Sequence, residues 1–474
     1  MTSPWLERRR RFAARVALYG SLVLVSLALV AGIVWFLASQ STDRQPGQEW
    51  AKVDYANLPE IKLLQQYVQI DTSERTGNEI TGARFLAARL AEAGIPSEIE
   101  VLGTKHANLY ARLEGADPHP LVLHNHIDVE SVDPKEWISP PFEAKIEVPW
   151  MLGRGTFDMK SVAIAQLVAM IDLKKSGRPL KRSVLFLATS SEEHGSRLGV
   201  RWILRQHPEL VRGFWAVLTE GGAVEARARD DIKYWGTEAG QKRFVDIRVC
   251  GSDRAQLDAL HKLLVDRGYT ETDLHITPEV RTYLASYGPT RDRPAYVESM
   301  EHPEEVLADV NKLRELPSYV RSLFRNEAVP FAVEAAPGGG WQMLIKLHLL
   351  PGIETAAVRD ELLPPWILHG LSVTVDEPPT ARHGSPLDHP VFQAALAVVK
   401  ERYPKAPAGP WFLPWTATDS RFFRAAGVPS YGFSPFLIMN TDTLQVDQAN
   451  ERFALPAFAD GVSLYGDLVR RLVL

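Results

Sequence analysis

Two hydrophobic spacings alternate along most of the chain. Apolar residues recur at helical spacing in "IKLLQQYVQI", whereas "LVLHNHID" and "SVLFLATS" are short continuous apolar runs that are typical of buried strands. Longer helices are predicted at "SVAIAQLVAMIDLKKSG", which ends at Gly177, and at "GVRWILRQHPEL". Strands that alternate with helices predict an α/β fold with a mostly parallel sheet and crossover helices.

The pattern changes near residue 240. "KRFVDIRV" alternates like a half-exposed strand, "DRAQLDALHKLLVDRG" has the spacing of an amphipathic helix, and "WQMLIKLHLLPG" begins a later strand, helix and strand. These elements predict a smaller α+β unit. Between them, residues 270–340 are charged and interrupted by prolines, which indicates helical insertion and loop.

An uncharged apolar run occupies residues 16–38, and arginines at 8–11 and 15 precede it. It is longer than the apolar region of a signal peptide, about 7–15 residues, and meets the ~20 residues that cross a bilayer. Basic residues on this side favour a cytoplasmic N-terminus. We therefore expect a basic cytoplasmic segment (1–15), one transmembrane helix (16–38), a linker (39–57) and an extracytoplasmic body. A buried core helix is the alternative.

Composition narrows the function classes. With 474 residues and 45% apolar residues, the chain can fill the cores of two domains or more. A net charge of -5 and the lack of a basic, aromatic-interleaved stripe give no attraction to nucleic acid. The single cysteine, Cys250, excludes an internal disulfide and a cysteine-based zinc site.

Acidic and histidine side chains follow the predicted strands, where open α/β sheets place their ligand sites. Taken singly, each of these residues is more often structural or solvated surface; their shared place at strand ends favours a site. The candidates are His126, Asp128, Asp158, Glu192, Glu193 and Glu220.

Imidazole and carboxylate groups are suitable ligands for zinc and related divalent ions. His126 and Asp128 lie on one face of their strand, so Asp128 could accept the proton of the ring nitrogen that does not bind metal. Two adjacent glutamates can divide the work: one ligates metal, and the other takes a proton from a water that the metal holds.

These segments, in this order, resemble the aminoacylase, carboxypeptidase S and glutamate carboxypeptidase family of dinuclear zinc hydrolases. "HNHIDVES", "GRGTFDMK", "SSEEHGS" and "TEGG" look like its metal-binding motifs, and "HLLPG", "SPLDHP" and "WTATDSRFF...GFSP" like its later segments. The likeness runs from about residue 58 to the C-terminus and is greatest to the branch with carboxypeptidase S and the N-fatty-acyl-amino acid synthase/hydrolase.

The resemblance implies a catalytic domain, residues 58–239 and 379–474, interrupted by a lid, 240–378, through which copies of the chain could pair as a homodimer. Its substrates would be small peptides or N-acyl amino acids, hydrolysed beside a free carboxylate. Two Zn²⁺ ions are implied, with Mn²⁺ or Co²⁺ as alternatives.

The resemblance also implies a role for each site residue. His126 and Glu220 would bind one metal, Glu193 the other, and Asp158 would bridge them. Glu192 would be the general base and Asp128 would orient His126. Thr418, Asp419 and Arg421 match a segment near the substrate's carboxylate, for which a helix N-terminus with a structural ion pair is the alternative.

Two departures from the family pattern bear on activity. Family members supply a histidine to the second metal near the C-terminus, where "VDQANERF" places Asp447; a carboxylate there would favour harder ions or leave the site weak. In the lid, a family histidine is missing from residues 251–254, which leaves Arg254 as the only nearby cation to polarise a carbonyl. His348 is either a relocated polar contact or a partly exposed strand histidine.

Three interpretations follow from the sequence. The first is a working metal-dependent amidase or carboxypeptidase, because the base, the bridging residue and three further ligands are present. The second is a membrane-anchored binding protein that has lost hydrolysis, for which the two missing histidines argue. The third is an anchored domain whose carboxylates are solvated surface.

Overall fold

The computed structural model describes residues 53–474 apart from 268–273, 292–296, 298–299, 380, 382 and 444. The predicted basic segment and transmembrane helix, and most of the predicted linker, lie outside these residues. Within the described part, no helix is both long and apolar enough to cross a membrane. Residues Tyr55–Leu474 form one compact unit.

A large sheet occupies the centre of this unit, with the strand order β1-β2-β6-β3-β7-β16-β9-β15 and β8 beside β9. Its described strands are β1 (Ser97–Leu102), β2 (His106–Leu113), β3 (Asp117–His126), β6 (Arg182–Thr189), β7 (Ala216–Thr219), β8 (Ala223–Ala228), β9 (Asp231–Gln241), β15 (Ala408–Leu413) and β16 (Ser430–Gly432).

The sheet is mixed, and the prediction of a mostly parallel sheet was too simple. The neighbours β6, β3, β7 and β16 are parallel, as are β9 and β15. Antiparallel pairing occurs between β1 and β2 and between β8 and β9, which short turns join, and also between the distant strands β2 and β6 and the distant strands β9 and β16. Parallel neighbours need crossover connections, which are usually helices. The helices predicted from the sequence therefore indicated the parallel strands and gave no sign of the antiparallel ones.

The helices are α1 (Pro59–Val68), α2 (Glu79–Glu92), α3 (Lys160–Ser176), α4 (Val200–Gln206), α5 (Pro208–Arg212), α6 (Arg254–Arg267), α7 (Pro278–Tyr287), α8 (Pro303–Ala308), α9 (Val310–Glu315), α10 (Ser318–Ser322), α11 (Thr355–Leu362), α12 (Pro390–Arg402), α13 (Ser420–Ala425), α14 (Asn440–Thr443) and α15 (Leu455–Val473).

Two helix predictions show how local residues set helix ends. Helix α3 ends as predicted, because Gly177 adopts the left-handed conformation (φ 62°) that glycine tolerates. The single helix predicted at residues 199–210 is instead two short helices, α4 and α5. Pro208 lacks the N–H that would continue the first helix and occupies the first turn of the second.

A second, antiparallel sheet forms the smaller α+β unit, with the order β11-β13-β10-β14 and β12 beside β13. Its strands are β10 (Arg243–Gly251), β11 (Glu327–Pro330), β12 (Glu334–Ala335), β13 (Trp341–Leu349) and β14 (Ser372–Asp376). Leu257 and Leu260 of α6 and Val358 of α11 pack in the core of this unit. Below, this unit is called the lid.

Within residues 274–324, helices of the predicted insertion pack against the large sheet. Tyr283 of α7 and Val320 of α10 share a core cluster with Trp411 of β15 and Tyr234 of β9. A small third sheet, β4 (Lys145–Glu147), β5 (Trp150–Leu152) and β17 (Arg452–Ala454), connects a loop near the strand ends to the C-terminal segment.

Candidate active site

The candidate ligands meet at one edge of the large sheet because its central parallel strands end there. His126 is the last residue of β3, Glu192 and Glu193 follow β6 at a short distance, and Glu220 follows β7 directly. Asp158 comes from the loop before α3. Ligand atoms of His126, Asp158 and Glu193 lie within 4.8 Å of one another, as do those of His126, Glu192 and Glu220.

The two ring nitrogens of His126 have different partners. Nδ1 lies 2.9 Å from the main-chain oxygen of Asp128, and Nε2 lies 3.0 Å from Oδ1 of Asp158 and 3.6 Å from Oε2 of Glu220. A backbone acceptor at Nδ1 fixes the ring and leaves Nε2 for a ligand. The ring therefore directs one nitrogen into the carboxylate cluster.

The Asp128 carboxylate lies 3.6 Å from Nδ1 of His126, so the histidine's hydrogen-bond partner is the Asp128 carbonyl rather than its side chain. The carboxylate accepts instead the backbone N–H groups of Glu192 and Glu193, each at 3.0 Å. Asp128 thus connects the histidine strand to the loop that carries both glutamates. Its predicted effect on His126 acts through the main chain.

Several carboxylates lie close together in the cluster, and their pKa shifts indicate what could stabilise their charges. Burial raises the pKa of Glu193 and of Glu220 well above the ordinary value, and the nearby Asp158 raises both further. Burial lowers the pKa of His126, but Glu220 and the other carboxylates raise it more, so its pKa is well above the usual value. These groups cannot all ionise together without additional positive charge.

The residues fit a pair of divalent ions. Nε2 of His126 and Oδ1 of Asp158, 3.0 Å apart, are close to the ~3.3 Å expected for two atoms that share one ion at ~2.0–2.1 Å. Oε1 of Glu193 and Oδ1 of Asp447 are buried and have no hydrogen-bond partner in the described structure. A bound ion would satisfy the Glu193 oxygen, whereas Oδ1 of Asp447 also faces Arg154 at 3.5 Å.

Asp447 lies beside the cluster, at the position where the family pattern has a histidine. Burial raises its pKa to about 8, with further contributions from Asp158 and Glu451. Arg154 approaches its Oδ1 at 3.5 Å and donates a hydrogen bond to its carbonyl at 3.1 Å. The charge of Asp158 thus reaches the Asp447 carboxylate, although Asp447 is in neither of the two groups whose ligand atoms lie within 4.8 Å of one another.

The segment with Thr418, Asp419 and Arg421 lies next to the predicted base. All three residues are buried, and after burial itself Asp419 is the main reason that the pKa of Glu192 rises to about 8. Ser196 donates a hydrogen bond to Asp419. Asp419 is the N-cap residue of α13, as in the helix N-terminus alternative, and its Oδ2 lies 3.6 Å from Nε2 of His124. Among the described residues, no contact under 4 Å pairs Asp419 with Arg421, so the choice between the two interpretations stays a prediction.

The two lid residues considered as substitutes for the family histidine are engaged elsewhere. Arg254 is half exposed, contacts Asp258 at 3.3 Å and stacks over Trp341 at 4.8 Å. His348 packs on Phe244 with ring centroids 4.4 Å apart, and burial lowers its pKa to about 4. Both side chains thus make their contacts within the lid, and His348 corresponds to the strand-histidine interpretation.

Several residues that support the site were not predicted. His124 is buried and neutral, with Thr189 and Thr219 at 2.9 Å and a pKa that burial lowers to about 3. Lys160 is fully buried and donates to the carbonyls of Tyr67 and Ile70. The "DMK" motif contained Lys160, and the histidine repeat "HNH" contained His124, but neither motif indicates the partner.

Comparisons with known proteins extend the likeness over the whole body. A family model described as peptidase family M20/M25/M40 matches residues 122–471. Aminoacylase-1A of Rattus norvegicus is 26% identical over 433 residues, which cover 87% of this chain and 95% of that protein.

Solved structures share the fold at lower identity. The M20 family metallo-carboxypeptidase Sso-CP2 of Sulfolobus solfataricus has a TM-score of 0.64 at 17% identity, and the match covers 87% of this chain and 99% of that one. A dinuclear metal-binding peptidase of the M20 family from Bacillus subtilis has a TM-score of 0.53 at 12% identity, covering 87% and 97%. The combination of mixed α/β sheet and lid is therefore common to these proteins.

Proposed function

The chain belongs to peptidase family M20/M25/M40, and on this premise we propose that it is a dinuclear metal-dependent hydrolase that cleaves an amide or peptide bond next to a free carboxylate. N-acyl amino acids and small peptides are the substrate classes, in keeping with the aminoacylase and carboxypeptidase names of its relatives. Zinc is the proposed metal, with manganese or cobalt as alternatives.

One observation carries this proposal. A single imidazole and four buried or partly buried carboxylates converge near the strand ends in two groups that share His126, with ligand atoms within 4.8 Å in each group, while Oε1 of Glu193 has no hydrogen-bond partner in the described structure. Glu192 is buried and the other three carboxylates are partly buried, with Asp158 23% and Glu220 15% exposed, so these groups are not a freely solvated surface and the interpretation as surface is disfavoured for them.

His126, Asp158 and Glu220 would hold one ion, and Asp158, Glu193 and Asp447 the other. When bound, such ions act as Lewis acids toward a carbonyl and lower the pKa of water. Glu192 is 9% exposed, and in the ion-free site burial and Asp419 raise its pKa to about 8. Bound ions would lower this pKa, because nearby positive charge favours the carboxylate form that accepts a proton. In the proposed reaction Glu192 takes a proton from the attacking water and gives it to the leaving nitrogen.

Recognition of the free carboxylate is assigned to the segment next to Glu192. Arg421 is 9% exposed, and its Nε has no hydrogen-bond partner in the described structure. A guanidinium can bind a carboxylate through two parallel hydrogen bonds, which fixes the orientation of the substrate. Nε of Arg421 is therefore a donor that a substrate carboxylate could accept from.

The test uses the full-length chain in detergent, loaded with zinc, and three substrates: N-acetyl-leucine, N-oleoyl-leucine and the dipeptide Leu-Leu. We expect hydrolysis of at least one. Glu192→Gln should lower kcat by a factor of about 10²–10⁴ with unchanged metal content, since it loses proton transfer and keeps the shape of the side chain. Glu98→Gln, at an exposed position of β1, is the control.

One result would reject the proposed hydrolase function, and another would reject only the role of Glu192. A zinc-loaded and manganese-loaded parent that hydrolyses none of the three substrates would favour the binding-protein interpretation, for which the replacement of the second-metal histidine by Asp447 is the specific observation. Glu192→Gln with a rate close to that of the parent would remove Glu192 as the base.

A further inference from the structure

The chain passes from the large sheet to the lid in one residue. Strand β9 ends at Gln241 and β10 begins at Arg243, so only Lys242 lies between the two sheets. Lys242 is fully buried; its N–H donates to the carbonyl of Leu413 at 2.9 Å, and its Nζ contacts Glu327 of the lid at 2.9 Å. The crossing is therefore anchored to the end of β15 on one side and to the lid on the other.

Beyond Leu413, the chain leaves β15, and the side chain of Gln241 continues the pairing. Its Oε1 accepts a hydrogen bond from the backbone N–H of Thr418 at 2.8 Å, and its Nε2 donates to the carbonyl of the same residue at 3.1 Å. Gln241 is 6% exposed, so water does not compete for these bonds. The primary amide thus binds both backbone groups of Thr418 as a neighbouring strand would.

Thr418 contacts residues of the candidate site and so helps to fix their positions. Its carbonyl also accepts the N–H of Arg421 at 3.3 Å, and Asp419 is its neighbour. Its methyl group lies against Gly221, where an added Cβ would be 3.0 Å from Cγ2 of Thr418. Gly221 directly follows the candidate ligand Glu220 and has φ +109°, which favours glycine. Thr418 is therefore held between the metal cluster and the lid crossing.

We infer that Gln241 is a positioning residue for recognition of the substrate's free carboxylate: its amide fixes Thr418, and thereby Arg421, relative to the crossing into the lid. This inference rests on the proposed function. Gln241 does not contact substrate in this scheme. It acts through the backbone of Thr418 and sets where the guanidinium of Arg421 meets the carboxylate.

The experiment measures preference rather than rate. Each of the three test substrates is compared with its C-terminal amide, which lacks the negative charge, and kcat/KM for the acid is divided by kcat/KM for the amide. In the full-length chain, Gln241→Met should lower this ratio about tenfold, mostly through a higher KM for the acid, because both hydrogen bonds to Thr418 are lost. A smaller folded fraction changes both rates equally and leaves the ratio unaffected.

Gln241→Leu provides a second uncharged variant. It also removes both hydrogen bonds to Thr418, so the ratio should fall in the same direction. Gln342→Met is the matched control: Gln342 is also 6% exposed and also makes two side-chain hydrogen bonds, to Arg248 and Glu334, but within the lid. It should leave the ratio within about twofold of the parent.

The outcomes separate the two proposals. A parent that hydrolyses none of the compounds refutes the proposed function and this inference with it. An active parent without a preference for the acid, or an active parent whose preference survives in both Gln241 variants, overturns the role of Gln241 and leaves the hydrolase assignment intact.

Discussion

Arg154 connects the loop before α3 to the C-terminal segment that carries Asp447. Its side chain is 4% exposed; Nη1 donates to Oε2 of Glu451 at 2.7 Å, and Nη2 donates to the carbonyl of Asp447 at 3.1 Å. The guanidinium lies 5.5 Å from the ring of Trp137. Replacement by methionine keeps much of the volume and removes the charge and both hydrogen bonds.

The expected cost follows from the burial of the partner. Glu451 is 1% exposed, and after the substitution it would keep only neutral donors, among them the backbone N–H of Phe157 at 2.7 Å. Removing one partner of a buried ion pair costs ~3–5 kcal/mol, because the remaining charge is uncompensated. We therefore expect Arg154→Met to lower the free energy of unfolding by about 3–5 kcal/mol. It should also loosen the backbone of Asp447 and so weaken the second metal site.

Urea unfolding of the metal-free full-length chain in detergent measures the first effect, and elemental analysis after equilibration with zinc measures the second. Arg471→Met is the control, since Arg471 pairs with Glu401 at 2.6 Å where the two side chains are 40% and 63% exposed. Exposed pairs contribute ~0–1 kcal/mol. Adding Glu451→Gln to Arg154→Met should restore part of the stability. A loss no larger than that of the control would refute the reasoning.

Three further predictions concern the metal site and the N-terminus. Without metal, the pKa of Glu192 and of Asp447 in the folded state is raised to about 8. Between about pH 4.5 and 8 the folded state therefore keeps protons that the unfolded state has already lost, and the free energy of unfolding falls as pH rises through this range. Because metal displaces these protons, the increase in Tm caused by zinc should grow from about pH 5.5 to about pH 8 in thermal scans; a constant increase would contradict this. Asp447→His should raise zinc occupancy toward two ions per chain, and an unchanged content would argue against Asp447 as a ligand. Removing residues 1–40 should release the chain from membranes in a flotation assay with kcat/KM unchanged; continued flotation would contradict the proposed single anchor.

Sequence reasoning could select His126, Glu192, Glu193 and Glu220 because each lies at or just after the end of a strand with a strong local pattern, whereas Asp447 was predicted only through the family resemblance. The run "LVLHNH" predicts a buried strand, and His126 ends it. Their meeting then follows from the geometry of parallel strands, which end at a common edge. The order of strands did not follow, because pairing between distant strands depends on packing that a single sequence does not report.

The supporting contacts could not be predicted from the sequence either, because their partners are far apart along the chain. Arg154 and Glu451 are 297 positions apart, and Gln241 and Thr418 are 177 apart. Nothing local distinguishes Gln241 from an ordinary polar residue at a strand end. The amide becomes informative only when the fold places it opposite a backbone segment that has lost its strand partner.

In the proposed site, Asp447 as a ligand in place of a histidine would change the charge, and Arg154 would bear on the result. With a second histidine, three carboxylate ligands would face two divalent ions, leaving a net charge of +1; with Asp447 the four carboxylates balance the ions. A neutral site polarises a carbonyl less strongly, and oxygen ligands favour harder ions. Arg154 lies 3.5 Å from Oδ1 of Asp447 but shares its charge with Glu451, 2.7 Å away, so it offsets only part of this change. Arg154→Met should therefore shift the ratio of manganese to zinc activity, whereas loss of a purely structural tether would lower both activities in proportion.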